Sequence, residues 1–265
     1  MGPARRRRQR ALIFVSRARP IAFFVLQCTL VLMLGPRCQG QFASAGQASS
    51  PQEFDAYLEV LSKTSPREVL SATRDFNQLW PQSNLLAHVF ELELEAYRSI
   101  GDSAGAILAG EKALRVAPDN LVVLTNLSEI IANSTADPQQ LARAEQYARK
   151  ELEMSKTMRV PKRISPEEWD EIQGRLGSTA HATLGLVAYK RGDVTTAVVE
   201  LEAAVKLAPT PDPIQYYRLG RLYRTRGDET EGIQMLLRAA ESSDPTIRQL
   251  AERELHAVSR KTRSN

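Results

Sequence analysis

The 265-residue chain is long enough for one or two globular domains or one repeat array, and 43% apolar with 25% charged residues is ordinary for a folded protein. That composition argues against collagen, a wholly disordered chain and a polytopic membrane protein. The formal charge of +4 is uneven: residues 1–45 carry eight arginines and no acid, which leaves 27 basic against 31 acidic side chains in the rest. A mildly acidic body argues against phosphate-backbone binding, so no nucleic-acid partner is expected.

Residues 1–45 read as a signal peptide or an N-terminal membrane anchor. Arginines precede the apolar run Ile21 to Leu34, which ends at Gly35 and Pro36 and is short for a transmembrane span of about 20 residues. "FASAG" offers a small-x-small cleavage site after Ala45. Arg37 before Cys38 weakens a lipoprotein reading, and the arginine cluster lacks the pattern of a twin-arginine signal. Both cysteines, Cys28 and Cys38, fall in this segment, so the mature chain is expected to hold no disulfide, thiol nucleophile or cysteine-based metal site.

Residues 46–82 read as a diverged opening helix pair, Pro51 to Ser62 and Pro66 to Leu79. From there the chain repeats itself. Gly192-Asp193 and Gly227-Asp228 lie 35 residues apart, and the same offset relates Leu184-Gly185 to Leu219-Gly220, Ala197 to Gly232 and Ala204 to Ala239. A third copy, Gly101-Asp102, lies 91 residues before the Gly192 copy, with Ala106, Ala113 and Pro118 matching Ala197, Ala204 and Pro209. Each unit reads as two helices. Phe90, Leu94 and Tyr97 upstream of Gly-Asp, and Ala106, Ile107, Gly110 and Ala113 downstream, follow helical spacing. Gly suits the left-handed end of the first helix, and Asp can accept a backbone N–H at the start of the second.

The units are 87–120, a diverged 121–156, then 178–212 and 213–244. Residues 157–177 are an insertion in which Ser165, Pro166 and Glu168 form a capping-box start, extending one helix from Pro166 to about Lys190. Residues 245–260 read as a capping helix, and Lys261 to Asn265 as a frayed end.

The pattern resembles the tetratricopeptide repeat, whose period is about 34 residues. The last unit carries it most fully, as Tyr216, Leu219, Gly220, Tyr223, Gly227, Asp228, Leu236 and Ala239. Unit 87–120 departs from it, with Glu93-Leu94 in place of Leu-Gly. The resemblance implies an all-α fold, a right-handed α-solenoid of antiparallel helix pairs. The ending "WPQS" at Trp80 to Ser83 resembles that of envelope tetratricopeptide proteins.

No catalytic motif appears. His88, His181 and His256 lie in different units without a metal-ligand neighbour, there is no G-x-S-x-G or phosphate-binding loop, and no catalytic residue, cofactor or metal is expected. Asn126 and Asn133 begin glycosylation sequons, which are frequent by chance. The two Arg-Gly-Asp tripeptides fall at helix-to-helix turns, where tight geometry argues against the mobile loop of an adhesive motif.

The resemblance implies instead a concave groove for a peptide or partner helix, lined by the first helix of each pair. Its positions here are Glu91 and Glu95, then Thr125 and Glu129, then Ala182 and Leu186, then Tyr217 and Arg221, with Arg218 and Arg224 making that end basic. Acids in the first unit argue against the family's lysine and asparagine clamp for a C-terminal carboxylate. The charges can also be read as mere solvation of helix faces. The expected protein is a non-catalytic, exported scaffold of a bacterial envelope or periplasm that binds a protein or peptide partner. The alternative is a membrane-tethered component of an outer-membrane assembly or secretion machine.

Overall fold

The computed structural model describes residues 46–161 and 164–263, with side chains described as far as Val258. The candidate signal peptide or anchor at 1–45 lies outside the described residues. Eleven helices and no strand occur among the described residues: α1 Pro51–Ser62, α2 Pro66–Leu79, α3 Leu86–Ser99, α4 Ser103–Val116, α5 Leu121–Ser134, α6 Pro138–Thr157, α7 Pro166–Lys190, α8 Val194–Leu207, α9 Pro213–Arg226, α10 Glu229–Ala240 and α11 Pro245–Arg263.

Local chemistry explains the starts. Ser65 and Ser165 form reciprocal capping boxes with Glu68 and Glu168, and Pro66 and Pro166 need no N–H where a helix cannot use one. Asp102, Asn120, Asp137 and Asp193 each accept the backbone N–H three residues on, at 2.9 to 3.1 Å.

The three Gly-Asp turns are one motif used three times. Gly101, Gly192 and Gly227 have φ of 76°, 82° and 101°, the left-handed region that glycine enters without a Cβ penalty. The following Asp N–H donates back to the carbonyl of Tyr97, Ala188 or Tyr223 at 2.9 to 3.0 Å, closing the end of the first helix. The expected Asp cap of the second helix forms at Asp102 and Asp193 but not at Asp228. Arg226 lies two residues away and pairs with the Asp228 carboxylate, diverting it from the helix start.

Each helix packs on the next in sequence, and α5 also packs on α7. Small residues set the spacing within a pair. A Cβ on Gly220 would lie 2.9 Å from Leu236 and 3.0 Å from the Gly232 carbonyl, so α9 and α10 touch nearly backbone to backbone. Ala106, Ala113, Ala197, Ala204 and Ala239 are fully buried at equivalent places. The interior is a series of adjoining clusters rather than one centre, as expected when each pair buries its apolar faces against its neighbours.

Three helices, α6, α7 and α11, exceed the common length of 14 residues, and the first two are consecutive. Helix α6 has 20 residues and α7 has 25. Their extra turns meet where the Gln173 amide donates to the Ser155 carbonyl at 2.8 Å, next to a cluster in which Ala148 and Leu152 pack against Ala180 and Leu184. No helix among the described residues is long and apolar enough to cross a membrane.

Candidate functional site

Side-chain contacts between non-consecutive elements reveal which residues share a surface. Arg98 on α3 donates to the Asn126 side chain on α5 at 2.8 Å, and its guanidinium lies 3.7 Å from Glu95 and 3.9 Å from Glu129. Asn120 donates to Glu91 at 3.1 Å. Lys190, at the end of α7, donates to the Thr135 carbonyl at 2.6 Å. Arg218 on α9 reaches the Asn133 side chain on α5 at 2.9 Å, a contact between residues 85 apart in sequence. The first helices of the four pairs thus present one continuous surface holding Glu91, Glu95, Glu129 and Arg218. The second helices are linked separately, as by Arg143 of α6 with Glu111 of α4.

That surface is sorted by charge. At the α3 and α5 end, Glu95 and Glu129 flank Arg98, and Glu91 lies one turn before Glu95 and accepts from Asn120. Burial raises the Glu95 pKa, with Arg98 opposing the shift and Glu91 adding to it. Beyond them Arg218 reaches Asn133, and on α7 Ala182 is half-buried and Leu186 buried. Burial lowers the Arg218 pKa, partly opposed by Asp212 and Glu129.

The basic end is largely neutralised within the molecule. Arg221 lies 3.4 Å from Glu254 of α11 and 5.9 Å from the centre of the Tyr217 ring. Arg224 donates to the same Glu254 at 2.8 Å and pairs with Glu229 at 3.2 Å. Of the residues expected in a groove, the structure therefore brings Glu91, Glu95 and Glu129 together, places Arg218 across from them, and ties Arg221 and Arg224 to the last helix.

One acidic residue near this surface escaped the sequence reading. Glu151 of α6 is fully buried, and neither of its carboxyl oxygens has a hydrogen-bond partner. Burial pushes its pKa up to about 8, an effect opposed by the Thr125 hydroxyl and reinforced by Glu129. Its sequence signal was slight: it stands three residues after Ala148 and beside Leu152, on the inward stripe of α6. Elsewhere the titratable groups have ordinary roles, such as His181 at 2.6 Å from Glu200. No group of three or more metal-ligating side chains occurs among the described residues.

Paired helices around shallow interfaces, with a polar surface shared by every first helix, define a helical-repeat solenoid of the protein-interaction class. Residues 216–244 match the tetratricopeptide repeat model. Among solved structures, one titled "MamA RS-1 ArsTM double mutant" is similar with a TM-score of 0.54 and 14% identity, covering 73% of this chain and 96% of that one. BtubC (BKLC) from P. vanneervenii gives 0.51 and 20% identity, covering 69% and 75%. At such identities the likeness is one of fold. Comparison with curated proteins gives no match.

Proposed function

We propose that this protein is a non-catalytic scaffold, exported to the cell envelope or periplasm, that holds a peptide or helix of a partner along the surface of its first helices. The observation that carries the reading is the charge-sorted surface itself. Two carboxylates from two repeats, Glu95 and Glu129, flank one arginine, and Glu91 stands one turn before Glu95, an acidic arrangement that helix solvation alone does not require and that a charged partner segment would complete. Export is supported by the arginine-led apolar run Ile21 to Leu34 and the "FASAG" site that follows it. If that run is retained instead of cleaved, it supplies a tether, and the scaffold then acts as a membrane-held part of an assembly or secretion machine.

Affinity capture from the native envelope tests the partner site, with the wild-type protein compared against a Glu91→Lys, Glu95→Lys double variant and against Tyr217→Ala. The expected result is loss of a specific partner by the double variant while its helical circular dichroism is unchanged. Retention of every partner by both variants would remove the surface from consideration. Mass spectrometry of the native N-terminus separates cleavage after Ala45 from retention of the tether.

A further inference from the structure

The second helices carry a groove of their own, between α4 and α6. Two cross-links fix how these helices lie together. Arg143 of α6 pairs with Glu111 of α4. Further along both, Lys150 donates to the Pro118 carbonyl and pairs with Asp119, each at 2.7 Å, just past the end of α4. The two helices therefore run side by side in the same direction, with the links two helical turns, about 10 Å, apart on α6. Between the links they leave a cavity of about 310 Å³, a size at the lower limit of small-ligand sites.

The middle of this groove is lined by donors that no other side chain uses. Glu111 and Asp119 are spent on the cations at the two ends. Arg115, midway between them on α4, has neither an ion pair nor a side-chain hydrogen bond among the described residues. Gln146 and Tyr147 hold the corresponding middle of α6 and line the same cavity, and their side chains are likewise without a hydrogen-bond partner among the described residues. The rest of the lining is apolar: Leu124 is buried, Leu114 is half-buried, and Pro118 closes the Lys150 end. Leu114 and Tyr147 pack on one core cluster, which fixes the Tyr147 ring. With the end pairs neutral, the guanidinium of Arg115 is the uncompensated charge of the groove.

We propose that the groove between α4 and α6 seats a glutamate side chain of a partner protein. Arg115 takes the carboxylate, the Tyr147 hydroxyl and the Gln146 amide donate to its remaining lone pairs, and Leu114, Leu124 and Pro118 receive its methylenes. The lining selects against the alternatives. A glutamine side chain brings no charge to Arg115, and a phosphate ion brings no stem to the apolar part. Arg115 and Gln146 are exposed, so the groove stays open to solvent over the bound group. An open seat of this kind holds one residue of a longer segment better than it encloses a free small anion. The site stands independently of the first-helix surface, whose carboxylates would repel an acidic segment.

Proton–nitrogen NMR spectra of the intact folded protein test the seat, with acetyl-Ala-Glu-Ala-amide as the probe. Its glutamine analogue, free glutamate and inorganic phosphate serve as comparisons. The Arg115 side-chain and Gln146 amide signals are expected to shift to saturation with the glutamate peptide and to move little with the glutamine peptide. Arg115→Ala, read at the Gln146 signal, is expected to weaken the peptide roughly tenfold or more, and Tyr147→Phe several-fold, with unchanged urea midpoints. Arg67→Ala, which removes the same charge from the exposed face of α2, is expected to leave the affinity as it was. No shift at these signals, equal shifts by the two peptides, or equal weakening by Arg67→Ala and Arg115→Ala overturns the seat. Tighter binding of phosphate or free glutamate than of the peptide overturns a protein segment as its occupant.

Discussion

Replacing Glu151 by glutamine should stabilise the protein at neutral pH, and by an amount that depends on pH in a defined way. The carboxyl has a folded pKa of about 8 against an ordinary value of 4.5, so between these values the folded chain holds a proton that the unfolded chain has lost. The folded state binds the extra proton, and stability therefore falls as pH rises from 4.5 and levels off above 8. Each unit of difference corresponds to about 1.4 kcal/mol, so at pH 7 the wild-type protein forgoes about 3 kcal/mol. Glutamine keeps the shape without the proton equilibrium. Urea titrations of both proteins from pH 4 to 9 should coincide near pH 4, diverge through neutrality in favour of Glu151→Gln, and run parallel above pH 8. The other carboxylates are common to both proteins and cancel in the difference. A flat difference between pH 5 and 8, or a less stable glutamine variant at pH 7, would refute the assignment of Glu151 as a buried, unpartnered acid.

Three further outcomes follow from packing and capping. Gly220→Ala places a methyl 2.9 Å from Leu236 and 3.0 Å from the Gly232 carbonyl, and should cost about 1–3 kcal/mol in urea denaturation by prying α9 from α10. Asp102→Ala removes the acceptor of the Gly105 N–H at 2.9 Å and should cost about 1 kcal/mol, with Asp102→Asn recovering most of it. Arg224→Ala frees Glu254 from its 2.8 Å contact, and hydrogen exchange should accelerate in residues 245–258 while α4 and α5 stay unchanged.

Much of the architecture was legible because its determinants are local. A Gly-Asp at a fixed offset, a proline after a serine or aspartate, and alanines where helices touch each express a geometric need within a few residues. The helical repeat could be read from them before any contact was known. The Asp228 cap was misread for the same reason, since Arg226 offers that carboxylate a competing partner that no repeat pattern records. The site was less legible. Glu95 and Glu129 occupy equivalent positions on their helices and Glu91 stands one turn before Glu95, so repeat register brings the three to one face. Their engagement with Arg98, and that of Arg221 and Arg224 with Glu254, depends on side chains reaching between elements. Glu151 was hidden because it lies on the inward stripe of α6, three residues after Ala148, where the period leads one to expect an apolar side chain. The Arg-Gly-Asp tripeptides, by contrast, resolve into turn chemistry: Arg226 pairs with Asp228, and Gly227 supplies the left-handed bend.

The reach of Arg218 to Asn133 has a mechanical consequence. In an ideal solenoid each repeat senses only its neighbours, and the stack extends and unfolds one unit at a time. Here a guanidinium from the fourth repeat grips the second, while Lys190 at the end of α7 grips the last carbonyls of α5 from between them. Repeats two and four are thereby joined directly across 85 residues of chain, so the coupling in this stack is not purely between nearest neighbours.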